Sequence, residues 1–199
     1  MLSRSIFVRF ASLALIAALF ILPGCSIDVK DKKDGGESKV DIKTPVGNLK
    51  VNEEADIRDT GLTLYPGAKP APKESGEDKK SANVNLSFGG FGLKVVAAEF
   101  ISDDSQGKIL DYYNKELEHF GKPIECHGKW NGGDVSVNSD DKSGLSKPVS
   151  CRESSSGESV ELKVGTEGNQ HIVAIKPNGN GSRFALVYVR MHTGKDDTI

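Results

Sequence analysis

Along most of the chain, apolar and polar residues alternate with a period of two, which is the pattern of half-buried strands. Val40 and Ile42, then Leu49 and Val51, alternate with polar neighbours on either side of Pro45-Val46-Gly47-Asn48. This predicts a short hairpin with one apolar face. Leu62 to Ala68 reads as a brief apolar strand broken at Pro66-Gly67, and residues 69–83 read as a polar loop with no core-forming residue. Val84, Leu86 and Phe88 alternate again, and Gly89-Gly90-Phe91-Gly92 supplies a turn. Leu93 to Ile101 is apolar at nearly every position, so it is expected to be a central strand covered on both faces.

The period then changes. Ile109, Leu110, Tyr113, Leu117 and Phe120 fall on one side of a helix, which Asp104 or Ser105 can cap and which Gly121 and Pro123 end. Asp111, Lys115 and Glu118 lie on the opposite side and should face water. Beyond it, Val160, Leu162 and Val164 alternate, and His171 to Lys176 and Arg183 to Met191 continue as strands. Gly168-Asn169-Gln170 and Asn178-Gly179-Asn180-Gly181 are the turns of an antiparallel meander. Strands, one helix, then strands predict an α+β fold: one antiparallel sheet with a single main helix packed on one face, preceded by a short N-terminal hairpin. The domain is expected over 40–193, with 194–199 a disordered tail.

The first 25 residues follow a different logic. Arg4 and Arg9 precede an uncharged apolar run of 12 residues, Ala11 to Leu22, which is too short for the ~20 residues of a membrane-spanning helix. Leu22-Pro23-Gly24-Cys25 resembles the lipobox of bacterial lipoproteins, although Pro23 departs from the commoner Ser or Ala. The resemblance implies a signal peptide over 1–24, cleavage before Cys25 and acylation of its sulfur, with palmitate among the chains. Acyl chains would then hold the protein to a membrane, since two or more give stable anchoring. Residues 25–39, rich in charge and carrying Gly35-Gly36, read as the acylated cysteine and a flexible tether. Ser26, rather than Asp, implies sorting to the outer membrane on its periplasmic side. The outer face of the plasma membrane, or secretion, is the alternative.

Composition and chemistry narrow the picture further. Tyr65-Pro66-Gly67-Ala68, Ser102-Asp103-Asp104-Ser105 and Leu110-Asp111-Tyr112-Tyr113-Asn114-Lys115-Glu116-Leu117 resemble a domain of uncharacterised bacterial envelope proteins, which implies export but no activity. The formal net charge of −2, with no basic block, argues against nucleic acid as a partner. Of three cysteines, lipidation of Cys25 leaves Cys126 and Cys151 to pair in an oxidising compartment. That bridge would close a polar loop running from His127 to Ser150.

No phosphate-binding loop, dinucleotide fingerprint, nucleophile elbow or zinc-protease motif is present in the sequence. His119, His127, His171 and His192 are scattered without ligand spacing, and Asp103-Asp104, Asp140-Asp141 and Asp196-Asp197 sit at a helix start, in a loop and in the tail. Tyr65, Tyr112 and Trp130 are isolated aromatics, read as core or rim. No catalytic residue, metal or cofactor is assigned. The expectation is a lipid-anchored, non-catalytic binding or structural module whose partner, besides the membrane, is another envelope protein or polymer. The alternative is an envelope hydrolase or small-ligand carrier without a recognisable motif.

Overall fold

The computed structural model describes residues 25–30, 39–52, 55–72, 81–129, 144–151 and 157–193. The segments expected as signal peptide (1–24) and disordered tail (194–199), with Trp130 and Asp140-Asp141, lie outside them. The strands are β1 (Ser26–Lys30), β2 (Lys39–Thr44), β3 (Gly47–Asn52), β4 (Lys69–Pro70), β5 (Ser81–Phe88), β6 (Phe91–Ser102), β7 (Ile124–Gly128), β8 (Ser159–Thr166), β9 (Asn169–Asn178) and β10 (Gly181–Thr193). Among the described residues the one α-helix, α1 (Gln106–Leu117), lies between β6 and β7.

All ten strands belong to one antiparallel sheet, ordered β1-β2-β3-β5-β6-β10-β9-β8-β7, with β4 paired to the far end of β6. It is two meanders zipped together, β1 to β6 on one side and β7 to β10 on the other. The seam is the long register from Phe91↔Thr193 to Ser102↔Ser182. The fold is α+β with one main helix, and the expected N-terminal hairpin, β2–β3, extends the same sheet through β3–β5 rather than standing apart.

The helix forms where the period predicts. Ser105 is its N-cap residue in extended conformation, though its side chain makes no capping bond. A 3-10 turn (Glu118–Phe120) and Gly121, at φ 135°, then end it. Ile109, Tyr113 and Leu117 are fully buried against Leu162, Val164, Val173, Ile175, Phe184 and Leu186. Each such side chain contributes about 1.5–3 kcal/mol of burial. Asp111, Lys115 and Glu118 are exposed.

Three expectations are corrected. Leu62 to Ala68 is not a strand: Leu62–Tyr65 is irregular and Pro66-Gly67 is a turn. Tyr113 holds this stretch instead, accepting from the Tyr65 N–H at 3.0 Å and donating to the Thr63 carbonyl at 3.2 Å. A side-chain partner 48 residues away thus satisfies backbone groups that a ladder would otherwise pair. Within 69–83, expected as a coreless loop, Lys69–Pro70 pairs with β6, Ala71 is buried, and Ser81–Asn83 already belongs to β5. Within 25–39, expected as a tether, Ser26–Lys30 is a strand that pairs residue for residue with Lys39–Lys43, and residues 31–38 lie outside the described residues. Ile27 and Val29 alternate with Ser26 and Asp28 and so share one side of the strand.

Candidate functional site

The two faces of the sheet differ in chemistry. The face under α1 is apolar across β8, β9 and β10 but polar across the N-terminal meander. Counting by twos from Asn83, opposite the buried Val96, places Asn85, Lys50, Asn52, Lys39, Asp41 and Lys43 on that face. The opposite face is apolar across the N-terminal meander and on into β9 and β10, and carries the ion pairs Glu99–Arg183 and Glu161–Lys163 beyond.

On that opposite face, five successive registers align Val29↔Val40, Val40↔Val51, Val51↔Val84, Val84↔Val95 and Val95↔Val189. Six valines therefore form a single row across six neighbouring strands. Ile27, Ile42, Leu49, Leu86, Leu93 and Met191 make a second row beside it, in the same registers. At ~4.8 Å between strands, the valine row spans about 24 Å. A one-residue slip at any pair would turn that strand's apolar set to the other face, so the two rows also fix the register.

Exposure along the rows is graded. Ile27 and Val29 are 66% and 55% exposed, Val40, Ile42, Leu49, Val51, Val84, Leu86, Leu93 and Val95 are half-buried, and Val189 is fully buried. The buried end is a second apolar cluster of Ile172, Ala174, Ala185, Val187 and Val189, with Leu93, Val95 and Ala97 packed against it. Thus β6 is central as expected, with one face buried and the other partly so. Beyond the cluster lies an ion pair in which Arg183 donates to Glu99 at 2.6 Å, with side chains 6% and 18% exposed. Residues of such low exposure carry charge only when paired.

The cysteines divide as the sequence suggests. Cys126 and Cys151 are bridged, with Cα atoms 5.4 Å apart, within the usual disulfide range. Cys25 is a free, exposed thiol one residue ahead of β1.

The other candidates are held in structural roles. His171 is sandwiched between Phe120 and Tyr188, with ring centroids 3.9 and 4.8 Å away, and donates to the Thr60 carbonyl. Burial pushes its pKa down to about 4. His127 meets Glu125 at 2.8 Å on the surface, His119 is exposed, and His192 lies over Gly92. Among the described residues, no three His, Cys, Asp or Glu side chains gather to hold a metal ion. Asp104 accepts from Lys108 and Tyr65, at 2.6 and 2.9 Å, and both bonds hold its carboxyl below the usual range.

Tyr65 and Tyr112 join Tyr113, Phe184 and Phe100 in an aromatic cluster under the helix rather than lining a surface. Two clefts formed by described residues, one beside Lys69, Asp103 and Asn180 and one beside Asp28, Lys39 and Lys50, enclose about 210 and 170 Å³. Both are smaller than the ~300–1,000 Å³ of drug-sized ligand pockets.

No family model, curated protein or solved structure matches the chain. Local geometry therefore carries the functional argument. The feature with the largest extent is the apolar pair of rows beginning beside Cys25. A sequence signal for it exists in the alternation of Ile27 and Val29 with Ser26 and Asp28, set within a charge-rich stretch.

Proposed function

We propose that this protein is a lipid-anchored envelope lipoprotein, acylated on Cys25, whose α+β domain is a non-catalytic binding or structural module. The observation that carries the reading is the division of the cysteines. Cys25 is exposed and unbridged directly before the sheet, whereas the other two are joined to each other. It stands at the end of Leu22-Pro23-Gly24, where lipoprotein processing would place the acyl acceptor.

The apolar rows give the domain a surface suited to contact rather than to chemistry, since contiguous exposed apolar area marks interaction sites. Outer-membrane anchoring on the periplasmic side follows from Ser26 in this reading, and an envelope protein or polymer is the further partner. The test is metabolic labelling with palmitate in the native cell. Label should enter the wild-type protein, and Cys25→Ser should abolish it and leave the leader uncut. Persistent labelling of the Cys25→Ser protein would refute the assignment.

A further inference from the structure

We infer that the N-terminal half of the apolar face lies against the lipid layer in which Cys25 is anchored, so that the meander β1-β2-β3-β5 rests on the membrane instead of standing off it. The inference rests on acylation of Cys25 and goes beyond it, because an acyl anchor alone does not determine which face of a domain meets lipid.

Three observations carry it. The first is distance along the chain. β1 starts one residue after Cys25, and Ile27 follows two residues after the acylated sulfur, a span of at most about 7 Å of extended backbone. With β1 paired to β2 along its full length, this span has no slack in which the domain could rotate freely. The second is the exposure gradient. The most exposed apolar side chains of the rows, Ile27 and Val29, are those nearest the anchor, while Val189 at the far end is fully buried. The third is amphipathicity. The same strands carry Lys39, Asp41, Lys43 and Lys50 on the other face, and Lys43 and Lys50 are exposed. One face suits the acyl boundary and the other suits water.

The backbone limits the depth. Among the described residues nothing pairs with the outer edge of β1, and unpaired N–H and C=O groups are not tolerated within hydrocarbon. The meander must therefore lie at the interface, its side chains reaching about 5–10 Å into the headgroup and acyl boundary as an amphipathic helix would. A second copy of the chain on the same face would lack this fixed relation to the anchor.

The experiment uses the processed, lipidated protein, reconstituted into phosphatidylcholine vesicles whose acyl chains carry bromine. A fluorophore is attached in four separate variants, Ile42→Cys and Val51→Cys on the apolar face and Lys43→Cys and Lys50→Cys on the polar face. Unfolding curves matching the parent protein confirm that each labelled variant is folded. Quenching by bromolipid should be severalfold stronger at positions 42 and 51 than at 43 and 50. Equal quenching, or none, at all four positions overturns the inference, as does copy-to-copy crosslinking through position 51 without quenching there. Mass spectrometry of the N-terminal peptide in the same sample separates the two claims. Acylated protein with equal quenching refutes the membrane-facing meander alone, whereas an unmodified Cys25 refutes the lipoprotein reading.

Discussion

Acid should weaken this fold through His171. The residue is 8% exposed, its ring stacked between Phe120 and Tyr188, and its bond to the Thr60 carbonyl is satisfied by the neutral form. Gly61 closes over it, since a Cβ there would lie 3.6 Å from Nε2 and 3.5 Å from the Phe120 ring. A second proton would bury a cation among aromatic rings, and burial accordingly holds the folded-state pKa at about 4, against 6.5 for the free side chain.

The folded state thus binds fewer protons than the unfolded one. The resulting stability is fully present above about pH 6.5 and is lost as pH falls through about 4. At about 1.36 kcal/mol per pKa unit, the loss from this residue alone comes to about 3 kcal/mol. Carboxylates titrate in part of the same range, so a variant must isolate the histidine. His171→Phe preserves an aromatic ring in the stack but leaves the Thr60 carbonyl without its donor, at a cost of about 1–3 kcal/mol. Urea unfolding at pH 7.5, 6, 5 and 4 is the assay. Wild type should be the more stable at pH 7.5, and its advantage should shrink or reverse by pH 4. Parallel pH profiles for the two proteins would refute the claim that burial of a neutral His171 governs this window.

Two further expectations concern the helix and the bridge. Leu117→Ala should cost about 2–4 kcal/mol, because the side chain is fully buried under α1, and Glu118→Ala, on the exposed side, should change stability by less than about 0.5 kcal/mol. Equal effects in denaturant melts would show that the buried side of the helix is wrongly assigned. Reduction of Cys126–Cys151 should lower unfolding free energy by about 2–4 kcal/mol while the far-ultraviolet spectrum persists, since the bridge ties β7, at the sheet margin, to Cys151 and leaves the helix core untouched. Two reactive thiols besides Cys25 in the folded, unreduced protein would refute the pairing.

The sequence by itself determined the elements whose signal is local. The helical period from Ile109 to Phe120 identified α1 and its buried side, and alternation identified β2, β3, β5 and the C-terminal meander with turns at Gly179 and near Gly168. Parity of the cysteines pointed to the Cys126–Cys151 bridge. Local signals were weaker where charge density masked alternation: Ile27 and Val29 sit among Asp28, Lys30 and further charges, and a composition argument read the stretch as tether. They misled at Leu62–Tyr65, where backbone groups are satisfied by the Tyr113 hydroxyl instead of by a neighbouring strand.

The tertiary structure alone decided which strands meet. Nothing within β10 announces that it returns to β6, because pairing of positions separated by 80 (Ser102↔Ser182) to 102 (Phe91↔Thr193) residues depends on the apolar sets of both strands and on the connection through α1. That pairing carries the valine row from the N-terminal meander into the C-terminal one and leaves its exposed end beside Cys25. His171 gives the same lesson on a smaller scale. Its period-two position places it on the helix-side face, but its lowered pKa comes from Phe120, Tyr188 and Thr60, which only the folded chain brings around it. A strand's own pattern determines which residues share a face; the identity of the neighbours across that face is a property of long-range pairing.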